Sequence, residues 1–91
     1  MKDLAGRRYV ISGRVQGVGF RYHAQRAAKE LGVTGWARNL EDGRVEVQGN
    51  GTARALSEFE ARLRKGPMGS DVREFEVAEG MVEVVEGFRI R

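Results

Sequence analysis

The run Tyr9-Val10-Ile11-Ser12-Gly13-Arg14-Val15-Gln16-Gly17-Val18-Gly19-Phe20-Arg21-Tyr22-His23-Ala24 changes its period part-way, and that change decides the fold. From Arg8 to Val15 the chain alternates. Tyr9, Ile11, Gly13 and Val15 share one face, the period of two expected of a strand. From Phe20 the period becomes helical: Phe20, Ala24, Ala27, Ala28 and Leu31 line one stripe, and Gly32 stands where a helix stops. Between the two lies Gln16 to Phe20, a loop interrupted by glycine. The first third of the chain therefore reads strand, glycine loop, helix.

Further along, Val33 to Leu40 predicts a second strand, and Asp42-Gly43 is a strong tight-turn signal. Arg44 to Gln48 alternates around Val45 and Val47, so the two strands should form a hairpin. Gly49-Asn50-Gly51 is expected to break the chain and end that strand early. Thr52 is placed to cap a helix whose Leu56, Phe59 and Leu63 share a face. Glu58/Arg62 and Glu60/Arg64 are i,i+4 pairs in the favourable order, and Gly66-Pro67 closes the helix. Arg73 to Val77 and Phe88 to Arg91 read as strands, while Ala78 to Gly87 shows no clear period. The order strand, helix, strand, strand, helix, strand, with a short C-terminal strand, predicts an α+β fold: a ferredoxin-like split β-α-β sandwich with an antiparallel sheet. Right-handed crossovers put both helices on one face. Residues 1–91 are expected to form a single domain.

Composition removes several function classes. The 91 residues contain no cysteine and one histidine, His23, which leaves no thiolate zinc site, no thiol catalysis and no histidine-rich metal site. No apolar run approaches the ~20 residues of a membrane helix, and the first residues lack the apolar segment of a secretory signal. A cytoplasmic protein is expected. Sixteen basic against 13 acidic residues leave a net charge of +3, with thirteen arginines to three lysines. An arginine excess suggests a phosphate-bearing partner without saying whether it is a nucleic acid or a small molecule.

The glycine loop offers a place for one phosphate. Gly17 and Gly19 can take positive φ, so the backbone can curl and point several N–H groups into one concavity. The helix start adds unpaired N–H groups and a partial positive charge. Arg21 brings a full charge and a bidentate fork. The loop has no Lys-Ser/Thr, so it is not a Walker A loop, and Gly17-Val18-Gly19-Phe20-Arg21-Tyr22 lacks the third glycine of a dinucleotide fingerprint. On spacing alone, a structural turn and an anion cradle remain equal readings.

Gly13 to Arg21, followed by Gly35-Trp36-Ala37-Arg38-Asn39-Leu40 and Asp42-Gly43-Arg44-Val45-Glu46-Val47, resembles the two signature segments of acylphosphatases. Both helices and the ending Gly87-Phe88-Arg89-Ile90-Arg91 extend the resemblance over nearly the whole chain. It implies hydrolysis of the carboxyl–phosphate bond of an acyl phosphate, with no metal, no cofactor and no covalent phosphoenzyme. It implies that Arg21 binds the phosphoryl group and that Asn39 positions the attacking water. The amides of Gln16, Gly17, Val18, Gly19 and Phe20 would cradle the phosphate, and inorganic phosphate would compete with substrate. A monomer that binds neither nucleic acid nor membrane is expected.

The neighbouring residues have plainer readings. His23 reads as a surface or rim residue and Trp36 as packing. Arg38 should point to the opposite sheet face from Asn39, and Tyr22 could rim the pocket. Two other functions fit the same fold: an RNA reader, weakly suggested by Gly17-Val18-Gly19-Phe20, and the acylphosphatase-like part of a larger carbamoyl-transfer enzyme.

Overall fold

The computed structural model describes residues 3–91. Its elements are β1 (Ala5–Arg14), α1 (Phe20–Leu31), β2 (Thr34–Asn39), β3 (Val45–Gly51), α2 (Ala53–Lys65), β4 (Asp71–Gly80) and β5 (Phe88–Ile90). They build one five-stranded sheet in the order β4-β1-β3-β2-β5. Both helices cover one face, as the right-handed crossovers require. Tyr9 and Ile11 of β1, Ala37 of β2 and Val45 and Val47 of β3 meet Phe20, Ala24, Ala27 and Ala28 of α1 and Leu56, Phe59 and Leu63 of α2. The Phe59 ring sits 5.9 Å from Tyr9 and 5.9 Å from Phe88, edge to face with each. Fully burying such a side chain contributes about 1.5–3 kcal/mol.

The local signals place α1 well. Gly32 adopts φ 73° and its N–H bonds the Ala28 carbonyl, ending the helix where expected. Thr52 caps α2, its Oγ1 accepting from the Ala55 N–H at 3.1 Å. Of the two helical ion pairs, Arg64–Glu60 forms at 3.3 Å, whereas Arg62 turns to Glu30 of α1 at 2.9 Å and ties the helices together.

Three expectations need correction. First, β3 does not stop at Gln48 but runs on through Gly49, Asn50 and Gly51, paired with β1 as far as Ala5. Gly49 suits the strand there because a Cβ would crowd the Leu56 and Phe59 side chains of α2. Asn50 is held by side-chain bonds described below. Secondly, the sheet is mixed: β1 to β4 pair antiparallel, but β5 runs parallel to β2, Gly35 opposite Phe88. Thirdly, β4 reaches Gly80, past Val77.

The parallel edge follows from the path of 81–87. β4 and β5 lie at opposite edges of the sheet, and the helices occupy one face. The connecting segment therefore crosses the other face as a strap. Asn50 clamps it with two bonds, Nδ2 donating to the Glu83 carbonyl at 2.8 Å and Oδ1 accepting from the Glu83 N–H at 2.9 Å. The Glu83 carboxylate accepts from Trp36 Nε1 at 2.9 Å and from Arg8 Nη2 at 2.7 Å. The Gly35 N–H then donates to the Gly87 carbonyl at 3.0 Å, delivering the chain to β5.

Candidate active site

The cleft opens where β1 hands over to α1. It holds about 190 Å³ and is lined by Val15, Gly17, Gly19, Phe20, Arg21, Tyr22 and Asn39. Gly17 and Gly19 take φ of 75° and 79°, and a Cβ at either would meet nothing within 4 Å. Glycine is needed there for the left-handed backbone and not for space; an L side chain would cost about 1–2 kcal/mol in that conformation.

The two helix starts differ. α2 has its threonine cap, whereas α1 begins at Gly19 with no side-chain cap and no acidic residue in its first turn. The orphan N–H groups and positive end of the α1 dipole are left to whatever enters the cleft. Arg21, in that first turn, uses one donor: Nη1 bonds the Arg91 carbonyl oxygen at 3.0 Å. It forms no ion pair with a described Asp or Glu side chain, so most of its fork stays available. Asn39 comes from the end of β2, exposed, opposite Val45 on the helix-facing side.

The structure thus brings Gly17, Gly19, Phe20, Arg21 and Asn39 to one cleft. Gln16 and Val18 belong to the loop but do not line it. Val18 packs against the core, and the Gln16 amide reaches across to the hairpin turn, bonding the Leu40 and Arg44 carbonyls. Tyr22 is on the rim and 71% exposed. His23 is not a rim group: its Nε2 lies 2.9 Å from the Arg62 carbonyl oxygen, bridging α1 to the end of α2. Arg38 faces away, paired with Glu46 at 2.7 Å on the strap side. The Gln16 staple and the Arg91 carbonyl had no signal in the sequence, because each joins segments far apart in the chain. In the adjacent turn, the Arg44 backbone N–H holds the Asp42 carboxyl below its ordinary pKa; desolvation opposes it, and the Arg44 guanidinium adds to the lowering.

The acylphosphatase family profile matches residues 7–90. An acylphosphatase of Solibacter usitatus is 54% identical over 85 residues, covering 93% of this chain and 88% of the relative. Solved acylphosphatases of Bacillus subtilis and Coxiella burnetii both superpose with a TM-score of 0.93. The first is 38% identical and covers 98% of this chain and 99% of its own; the second is 34% identical and covers 98% and 94%. With the signature segments meeting in one cleft, and with sequence and fold shared over nearly the whole length, the chain belongs to the acylphosphatase family.

Proposed function

We propose a metal-free, in-line mechanism for the hydrolysis of acyl phosphates that this chain carries out. The phosphoryl group sits against the uncapped start of α1 and the 16–20 amides, with the Arg21 fork on its oxygens. Phosphoryl transfer spreads charge over the equatorial oxygens, and N–H donors and a guanidinium stabilise that charge. Asn39 holds a water in line with the leaving oxygen. The water oxygen bonds to phosphorus as the phosphorus–acyl oxygen bond breaks. The carboxylate leaves with the electron pair, and the water's proton passes to a phosphate oxygen.

A carboxylate is a good leaving group, so no general acid is required. In keeping with this, the side chains lining the cleft include no Asp, Glu or His. Among the described residues no group of three His, Cys, Asp or Glu side chains is placed to hold a metal. The observation that carries the reading is the convergence of Arg21 and Asn39, 18 positions apart in sequence, on one cleft beside an uncapped helix start.

The decisive experiment is turnover of an aromatic acyl phosphate with a chelator present, beside a phosphate monoester, a nucleoside triphosphate and carbamoyl phosphate. Activity on the acyl phosphate alone is expected. Chelator-sensitive turnover would overturn the metal-free step. Arg21→Ala should lower kcat/KM at least ~100-fold and weaken inhibition by phosphate, with poor rescue by Arg21→Lys, which lacks the fork. Asn39→Ala should lose turnover yet keep phosphate inhibition. We further infer a monomer in the cytoplasm; among the described residues no helix is long and apolar enough to cross a membrane.

A further inference from the structure

Gln16 carries the polar side chain of loop 16–20, and the mechanism does not use it. Its Nε2 donates both hydrogens, one to the Leu40 carbonyl at 2.8 Å and one to the Arg44 carbonyl at 2.9 Å. These two carbonyls form the neck of the hairpin turn, where the Leu40 N–H also donates to the Arg44 carbonyl at 2.8 Å. Leu40 directly follows Asn39. The backbone ladder between β1 and β3 ends at Ile11 opposite Val45. Beyond it, among the described residues, the Gln16 amide makes the hydrogen bonds that join loop 15–19 to turn 40–44.

We propose that the Gln16 side chain is a positioning residue, setting the distance between the phosphate cradle and the Asn39 amide. The cradle is built by the β1–α1 connection and Asn39 stands at the start of the β2–β3 hairpin turn. Past the ladder that ends at Ile11, Val45 and Asn39, the Gln16 bonds tie the two connections together. Two acceptors at the neck demand two donors on one short planar group, which an amide supplies. Methionine, of similar length, supplies none, and glutamate would aim a charge at two carbonyl oxygens. The Gln16 backbone N–H stays in the loop whatever the side chain is, so phosphate binding and water placement should separate. A misplacement of ~1 Å at a reacting group can cost on the order of 100-fold in rate.

The inference rests on the proposed role of Asn39, and its test separates the two. Gln16→Met, Asn39→Ala and the core variant Ile11→Val are compared for kcat, KM, inhibition by inorganic phosphate, and urea stability. For Gln16→Met, kcat should fall about 10–100-fold while phosphate inhibition stays within about twofold. Ile11→Val, which only loosens the core, should keep wild-type kcat at a temperature where it is folded. If Asn39→Ala loses turnover but Gln16→Met keeps it, the positioning role is wrong and the catalytic reading stands. If Asn39→Ala keeps turnover, the catalytic reading fails and the positioning role fails with it. Should Gln16→Met weaken phosphate inhibition as much as it lowers kcat, Gln16 shapes the cradle itself and the proposal is overturned.

Discussion

The two faces of the sheet are both covered, but by different chemistry. On the helix side, Tyr9, Ile11, Ala37, Val45, Val47 and the side chains of α1 and α2 form a dry apolar layer. On the strap side, Arg8, Trp36, Arg38, Glu46, Gln48 and Asn50 form a hydrogen-bonded polar layer under residues 81–87. Arg8 alone donates to Gln48, Glu46 and Glu83 at 2.8, 2.8 and 2.7 Å, and its guanidinium lies 4.9 Å from the centre of the Trp36 ring. The helix face is held by contact area, which is non-directional. The strap face is held by directed bonds among groups that would be costly to leave unpaired. The difference matters for function: the cleft opens at the end of the helix face, whose layer anchors the start of α1. The strap face holds β2 and β3 in register from behind.

The largest effect should come from breaking the apolar layer. Phe59 is fully buried between Tyr9 and Phe88, so Phe59→Ala is expected to cost about 3–5 kcal/mol in urea unfolding. A loss under 1 kcal/mol would mean that the helix face is not what holds the fold together. The same face should answer to alkaline pH. Burial pushes the Tyr9 hydroxyl up to about 12, with the Arg7 guanidinium opposing it and Glu60 and Glu79 adding to the rise. The hydroxyl lies beside Arg7 without a well-formed hydrogen bond. The folded state therefore keeps this proton after the unfolded chain has released it. The contribution of Tyr9 is intact below pH ~10 and is lost between about 10 and 12, by about 2–3 kcal/mol. Tyr9→Phe should unfold at nearly the wild-type urea concentration at pH 7, and should lack that part of the alkaline loss.

The same contrast accounts for what was legible in the sequence. Period-two valines and period-four alanines mark the helix face directly, because burial against a helix demands apolar side chains at those spacings. The curl at Gly17 and Gly19 was legible because a loop that turns into a helix there needs glycine, whereas the role of Arg21 came from the resemblance. The strap face was not. Arg8, Glu46, Gln48 and Asn50 alternate with apolar residues as solvent-facing positions do, and no local pattern tells a polar residue in water from one bonded under a strap. For the same reason Gly49-Asn50-Gly51 looked like a break: Asn50 is buried by Glu83, thirty-three positions away. The arginine excess suggested a phosphate-bearing partner, as an acyl phosphate is, but the number of arginines was not itself the signal, since Arg7, Arg8 and Arg38 serve ion pairs within the fold. Asn39 drew its meaning from the resemblance, because nothing local separates it from an ordinary turn asparagine.

A smaller effect, opposite in sign along the pH axis, tests the strap face. Glu46 accepts from Arg8 Nη1 at 2.8 Å and from Arg38 Nε at 2.7 Å. Burial works against its ionised form, but the hydrogen bonds from Arg38 and Arg8 outweigh burial and lower its pKa. A group whose folded pKa is depressed contributes stability that is present above the unfolded value and lost as pH falls through the folded one. The strap face should therefore weaken in acid, where the helix face does not. Glu46→Gln keeps the shape and one acceptor but removes the charge, and should cost about 1–2 kcal/mol at pH 7. Below the carboxylate range its stability should converge on that of wild type, since protonated Glu46 is also neutral. Equal losses at pH 7 and pH 3 would mean that Glu46 acts through packing, and that the charge shared with Arg8 and Arg38 contributes nothing to holding the strap face.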